Sequence, residues 1–198
     1  LHHTRRAADF SGAMVLEAEK TTRAALESAK AAQQVLGAER AWMFLSHHRF
    51  GHAKNSRIDG VPHADIFMIT LLVKNYGRSP AIKTGVYIDN IIIDNSETIP
   101  VFQQVEDTIG RKILVGPNQE VSTHTVAIAW SEFEKVKDRT KKFYIYCAID
   151  YITIFGPDVI CRTEMCLLLE YQGEFVGEDR KSKMQITLSP VGPQNSSL

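Results

Sequence analysis

The chain has 198 residues, and its 23 Lys and Arg residues balance its 23 Asp and Glu residues. This balance argues against a broad nucleic-acid-binding surface and against electrostatic attachment to anionic lipid, because both require clustered basic charge. No apolar run approaches the roughly 20 residues that a membrane-spanning helix needs, and the three cysteines are too few for a disulfide scaffold.

Residues 1–39 are predicted to form one long N-terminal helix, because strong helix formers dominate this Ala-rich segment and Pro is absent from it. Steps of three and four residues along it mark a heptad-like, helix-pairing seam of mostly small side chains. The seam consists of Val15, Ala18, Thr22, Ala25, Ala29, Ala32 and Leu36. Because small side chains bury little area each, we expect the helix to need a partner: a second copy, another subunit or the β domain. The alternative is a solvated spacer.

Residues 40–189 are predicted to form a β domain that begins with a short apolar strand and continues into a polar loop over Ser46–His63. Apolar runs typical of strands then follow at about Ile66–Asn75, Ala81–Ile93, Arg111–Val115, Val121–Trp130, Lys142–Ile154, Val159–Tyr171 and Met184–Leu188. Their spacing lacks the strand–helix–strand rhythm of a parallel sheet, so we predict an immunoglobulin-like antiparallel β-sandwich. Residues 190–198 are predicted to be a flexible tail.

Two local signals lie inside the predicted β domain. The capping-box pattern of Ser131–Glu134 predicts one short helix, and Gly156-Pro157 predicts a hairpin turn. If this hairpin is centred on Gly156-Pro157, Cys147 faces Cys166, and opposed Cβ atoms in a strand pair lie about 4.5–5.5 Å apart. Cys147 and Cys166 are therefore a candidate disulfide, and the alternative is that they are small buried hydrophobic residues.

Four histidines, His47, His48, His52 and His63, lie in or beside the predicted polar loop. Imidazoles are common metal ligands, so a metal site is one interpretation of this group. No Cys or repeated acidic residue accompanies them, and their spacing matches no zinc pattern. We therefore favour a solvated loop and predict no metal and no cofactor.

Two resemblances add to this interpretation. The segment LLVKNYGRSPAIKTGVYIDN (71–90), followed by VGPNQE (115–120), resembles bacterial immunoglobulin-like adhesion and accessory modules. Most of the chain is also similar to a group of uncharacterised bacterial membrane-anchored proteins, which have an N-terminal transmembrane helix, an Ala-rich helix and an immunoglobulin-like β domain. The matching motifs are AERAW (38–42), NYGRSPA (75–81) and DYITIFG (150–156), which leads to Cys166. This resemblance implies an anchor upstream of Leu1 and a location at the bacterial inner membrane, and it implies no reaction.

The sequence contains no nucleophile elbow, phosphate-binding loop, dinucleotide fingerprint or zinc-hydrolase motif. We therefore predict a non-enzymatic protein-interaction or accessory module of a bacterial membrane-associated assembly, with no catalytic residues. Its partner would be a protein or a second copy that pairs with the N-terminal helix, and not a nucleic acid. The alternatives are a small-molecule or lipid-sensing β-sandwich domain and an enzyme whose site the sequence does not reveal.

Overall fold

The computed structural model describes residues 17–32, 35, 39–102, 113–176, 182–192 and 195–197. The chain divides into two compact units, Leu1–Arg40 and Ala41–Leu198. In the first unit, residues 17–32 form helix α1, and every side chain of this range is exposed. The predicted seam residues from Ala18 to Ala32 lie on α1, whereas Val15 and Leu36 lie outside the described residues. No helix in the described ranges is long and apolar enough to cross a membrane.

The second unit is built almost entirely from β-strands. Its elements are β1 (Met43–Ile58), β2 (Val61–Asn75), β3 (Ala81–Asp94), β4 (Ile113–Val115), β5 (Glu120–Ala129), α2 (Trp130–Lys137), β6 (Lys141–Thr153), β7 (Gly156–Val176), β8 (Ser182–Pro190) and β9 (Ser196–Ser197). One sheet has the order β1-β2-β5, and the other has the order β4-β3-β6-β7-β8, with β9 paired to β7. All described pairings are antiparallel. The prediction of a mainly antiparallel β fold after one N-terminal helix is confirmed.

The main core lies between the two sheets, because alternate residues of their strands point to the same side. From β2 it takes Phe67, Ile69, Leu71 and Val73, and from β6 it takes Phe143, Ile145, Cys147, Ile149 and Tyr151. The predicted short helix is present as α2, and its buried Phe133 stacks on Phe67 with ring centroids 4.0 Å apart. Ala129 occupies the N-cap position and no side chain caps the helix, so the predicted capping box does not form.

The prediction of a polar loop over Ser46–His63 is wrong, because these residues form most of a long β1–β2 hairpin. The turn consists of Asp59 and Gly60, with φ values of 48° and 83°. Positive φ at both central residues is the requirement of a type I′ hairpin turn, and Asp-Gly is a preferred sequence for it. The polar composition of this segment is typical of a loop, but it also occurs in an outermost strand, because one edge and much of the surface of such a strand are in water.

The remaining differences concern the end of the chain. Pro190 is the last residue of β8, and Ser196–Ser197 pair with Thr163 and Glu164 of β7. Asn195 accepts a hydrogen bond from the backbone N–H of Cys166 at 3.2 Å. The described part of the predicted flexible tail therefore lies against β7, while residues 193, 194 and 198 are outside the described residues.

Asn75, at the end of β2, joins the two sheets through its fully buried side chain. Its Oδ1 accepts hydrogen bonds from the backbone N–H groups of Trp42 at 3.2 Å and Gly77 at 2.9 Å. Its Nδ2 donates to the carbonyl oxygens of Ser79 at 2.8 Å and Val115 at 3.1 Å. These bonds use the full hydrogen-bonding capacity of the amide. One side chain thus holds the start of β1, the β2–β3 turn and the end of β4.

We expect Asn75→Ala to lower the free energy of unfolding by about 3 kcal/mol or more, because it leaves several buried backbone groups without partners. Asn75→Asp should be similarly damaging, since a carboxylate cannot donate to the two carbonyl oxygens. The matched control is Asn90→Ala on the exposed surface of β3, which should change stability by less than about 0.5 kcal/mol. Urea denaturation followed by circular dichroism measures the difference, and equal effects at the two positions would refute this role of Asn75.

Candidate interaction surface

Strand β1 is the outermost strand of the three-stranded sheet. In the described part of the chain, only β2 pairs with it along its backbone. A strand in this position presents a row of N–H and C=O groups that are free to pair with another chain. At 16 residues, β1 offers a longer edge than the 9-residue β8 at one end of the other sheet. We call the unpaired side of Met43–Ile58 the β1 edge.

The side chains along the β1 edge carry positive charge only. Met43–Ile58 contains Arg49, Lys54 and Arg57 but no Asp or Glu. All three cationic side chains are exposed. Among the described residues, none of them has an ion-pair partner, although Lys54 lies opposite Asp65 of β2 in the register. A net-neutral chain therefore concentrates unpaired cations on one strand.

The four histidines of Ser46–His63, for which the sequence favoured a solvated loop over a metal site, are spread along this hairpin, each with its own neighbours. His47 contacts the Ser46 hydroxyl at 3.0 Å and Glu120 at 3.6 Å. His52 bonds Asp65 at 2.8 Å, and its ring lies 4.8 Å from that of Trp130. Burial, and then the nearby His47, lower the pKa of His48, and His63 lies opposite Ser56. Within the described ranges no three His, Cys, Asp or Glu residues are close enough to hold a metal ion.

A groove of about 380 Å³ lies beside the first residues of β1, where the two sheets meet. Its lining comprises Phe44 and Leu45 of β1, Thr163, Glu164, Met165 and Leu167 of β7, and Pro190 and Asn195. The lining is mainly apolar, and its polar members are Thr163, Glu164 and Asn195. Thr163 is only 2% exposed, and its hydroxyl has no hydrogen-bond partner. An unpaired buried hydroxyl costs free energy, so this group is suited to bond a molecule that enters the groove.

A buried ionic network lies on the opposite face of the larger sheet, away from the main core. Asp150 is bound by Arg162 in a bidentate pair, with Nε–Oδ1 and Nη2–Oδ2 distances of 2.6 and 2.7 Å. Arg162 also lies 3.6 Å from Glu164, which accepts a 2.8 Å hydrogen bond from the Tyr146 hydroxyl. Burial, and then this hydrogen bond, raise the pKa of Tyr146. The bond to Asp150 raises the pKa of Arg162.

This network belongs to a second hydrophobic cluster that covers the outer face of the sheet. The ring of Phe102 stacks on Tyr146 with centroids 5.2 Å apart, and Tyr144 and Cys166 are buried beside it. Every charged group of the network has an opposite charge or a hydroxyl as its partner. We therefore assign the network a structural role: it fixes β6 against β7 and holds the sheet that forms one wall of the groove.

The structure does not contain the predicted Cys147–Cys166 disulfide, because the predicted register was wrong by one residue. Cys147 lies opposite Met165, and Cys166 lies opposite Tyr146. The two sulfur atoms consequently point to opposite faces of the sheet, one into the main core and the other into the outer cluster. All three cysteines are free and buried. Burial raises the pKa of Cys147 to about 12, as the buried-thiol interpretation implies.

Comparisons with protein-family models, with curated proteins and with solved structures find no match to this chain. The function must therefore be argued from the β1 edge, the groove and helix α1.

Removing one member of the buried ionic network should be costly, because its partner keeps an uncompensated charge. We expect Arg162→Met to lower the free energy of unfolding by about 3–5 kcal/mol. The double variant Asp150→Leu/Arg162→Met should recover part of this loss, since both charges of the bidentate pair are removed while Glu164 keeps its hydrogen bond from Tyr146. The control is Lys135→Ala, which breaks the exposed pair with Glu132 and should cost less than about 1 kcal/mol. Guanidinium unfolding measures the loss of stability in each variant. Equal losses in the single and double variants would contradict this explanation.

Proposed function

We propose that this protein is a non-enzymatic protein-interaction module of a bacterial membrane-associated assembly, and that it presents the β1 edge to a protein partner. The observation that carries the proposal is the 16-residue outermost strand, whose second side no described strand covers. Addition of a partner strand to such an edge is a recurrent mode of protein recognition. The placement at a bacterial membrane rests on the sequence resemblance described above.

We also assign the β domain to the immunoglobulin-like sandwiches as part of this proposal. The order β1-β2-β5 corresponds to strands A, B and E of such a fold, and β4-β3-β6-β7 corresponds to C′, C, F and G. Strand β8 then extends the second sheet beyond strand G. The correspondence supports an interaction role, because sandwiches of this class commonly bind partners through loops and exposed edges.

A second candidate function is the binding of a small molecule or lipid in the groove beside β1. The specific observation in its favour is the unpaired hydroxyl of Thr163 inside a mainly apolar lining. Binding sites for small molecules commonly combine an apolar wall with a few placed polar groups. The groove is at the lower end of the usual size range of about 300–1,000 Å³, and it directly adjoins the β1 edge. We therefore rank it below protein binding.

Helix α1 is the second contact surface in the proposal. Its seam residues Ala18, Thr22, Ala25, Ala29 and Ala32 are all exposed, and Leu26 beside the seam is 56% exposed. An isolated helix of this length is marginal in water unless it packs on a partner. We propose that the seam pairs with a second copy of the helix or with a helix of the assembly.

The helix-pairing part of the proposal predicts a change of oligomeric state. Ala25→Glu/Ala32→Glu places two carboxylates in the seam, so an oligomer seen for the unaltered protein by sedimentation velocity should dissociate. The control Ala24→Glu/Ala31→Glu adds the same charges outside the seam and should leave the oligomer intact. A monomeric unaltered protein, or equal dissociation of both variants, would exclude self-association through this seam.

The edge-strand part of the proposal predicts where a partner can be cross-linked. A photoreactive amino acid at Arg49 or Lys54, on the β1 edge, should capture one defined protein when the full-length chain is made in its native cells. The same group at Lys183 or Gln185 of β8, which ends the other sheet, should not capture that protein. Identical products from both strands, or none from β1, would count against β1 as the interaction site.

A further inference from the structure

We propose that the β1 edge binds an extended, acidic segment of another protein, and that this segment places one apolar side chain in the groove beside Phe44 and Leu45. This inference rests on the proposed function and adds the chemical class of the partner. Three features of the β1 edge support it: its unpaired backbone, its single sign of charge and its position over the groove.

The backbone of the β1 edge sets the conformation of the partner. A chain that pairs with an outermost strand must itself be extended, because the ladder of N–H and C=O groups repeats every second residue. From Leu45 to Lys54 the edge offers a length of about 30 Å at roughly 3.3 Å per residue. A segment of about nine residues therefore spans the groove, Arg49 and Lys54, and because these two cations are five residues apart in a regular register, it meets them on opposite faces of the sheet.

The charge of the β1 edge selects against a second copy of this chain. Pairing of two β1 edges would bring Arg49, Lys54 and Arg57 of one copy near the same cations of the other, and opposed like charges destabilise a strand pair. Lysine and arginine on outermost strands serve this purpose in many β proteins. The same cations attract a strand that carries Asp or Glu, so one feature both excludes self-pairing and specifies an acidic partner.

The groove specifies where an apolar side chain of the partner lies. Successive side chains of an added strand point alternately to the two faces of the sheet, so every second side chain faces the space between the sheets. Beside Phe44 and Leu45, that space is the groove, whose far wall is formed by Met165 and Leu167. The Thr163 hydroxyl, unpaired and buried, lies where a polar atom of the incoming segment would complete its hydrogen bonding.

The test uses the whole protein and a synthetic probe of about nine residues, the length required by the spacing of β residues. In this acidic probe Glu alternates with Val so that Glu lies on the face of Arg49, the Val that would lie opposite Lys54 is also replaced by Glu, and the Val nearest Leu45, at one end of the probe, is replaced by Leu. Fluorescence anisotropy should show that it binds at least about tenfold more tightly than the same peptide with Lys in place of Glu. Methylation of alternate backbone nitrogens of the acidic probe, which removes the strand ladder, should abolish binding.

Matched protein variants locate the binding site. Arg49→Glu/Lys54→Gln should weaken binding of the acidic probe at least about tenfold. The same charge change in Arg139→Glu/Lys142→Gln, which alters the turn after α2 and the start of β6, should leave the affinity unaltered. If only the Arg139/Lys142 variant loses affinity, the acidic probe binds at a site other than β1, and the inference is overturned.

The groove is tested by methyl NMR with a spin label beside the Leu residue of the acidic probe. Resonances of Thr163, Met165 and Leu167 should broaden, and the Leu-to-Ala probe should bind more weakly. Thr163→Val should raise the thermal stability of the free protein, because an unpaired buried hydroxyl is removed. The same substitution should lower the affinity for the acidic probe. Absence of broadening at these methyl groups would refute the seating of a side chain in the groove.

Failure of this inference can be distinguished from failure of the proposed function. If the β1 cross-links capture a protein but the Lys peptide binds as tightly as the acidic one, the interaction module stands and the acidic partner is wrong. If octanoate shifts the NMR resonances of the groove methyl groups while neither peptide binds, the small-molecule function replaces both the interaction module and the acidic partner. If the acidic probe binds as predicted, the acidic class is supported whether or not the native partner has been captured.

Discussion

The amide of Asn75 is the constraint on which the arrangement of the sheets depends. It lies at the end of β2 in one sheet, yet it bonds the carbonyl oxygens of Ser79 and Val115, which lead into β3 and end β4 in the other. Its backbone N–H and C=O are bonded as well, to Gln119 and Asn118. Because it also accepts from the N–H of Trp42, the same residue fixes the point at which β1 begins, and therefore which residues of β1 lie over the groove.

The larger sheet differs from a simple two-sided sandwich sheet, because its central strand is covered on both faces. In β6, every residue from Phe143 to Thr153 is buried. One face meets the main core, and the other meets the cluster around Tyr146 and Phe102. A carboxylate on such a strand is taken out of water, so Asp150 requires its arginine partner. The ionic network is thus a consequence of the burial of both faces of the larger sheet.

The central strands could be predicted from the sequence, whereas the candidate site could not. Strands β2, β3 and β6 are long runs rich in β-branched, Leu and aromatic side chains and bounded by turn residues, a pattern typical of strands. Strand β1 contains six cationic or histidine side chains, so its composition resembles that of a loop, and only Asp59-Gly60 signalled the hairpin. The register of β6 on β7 could not be predicted either, because the chain turns at Ile154 and Phe155 rather than at Gly156-Pro157, and an irregularity between Ile152 and Thr153 then shifts the pairing. The groove and the network depend on that register and on the packing of distant strands.

The polar, cationic composition that made β1 look like a loop in the sequence also suits this strand to bind a partner. An outermost strand that is apolar and flat tends to aggregate, so natural sequences add charge or irregularity there. In β1 the added groups are all cationic, and a bulge interrupts the register between Leu45 and His47. Mixed charges would prevent self-pairing less effectively and would attract no particular partner. A strand with one sign of charge remains soluble alone and gains electrostatic free energy only when a segment of opposite charge pairs with it.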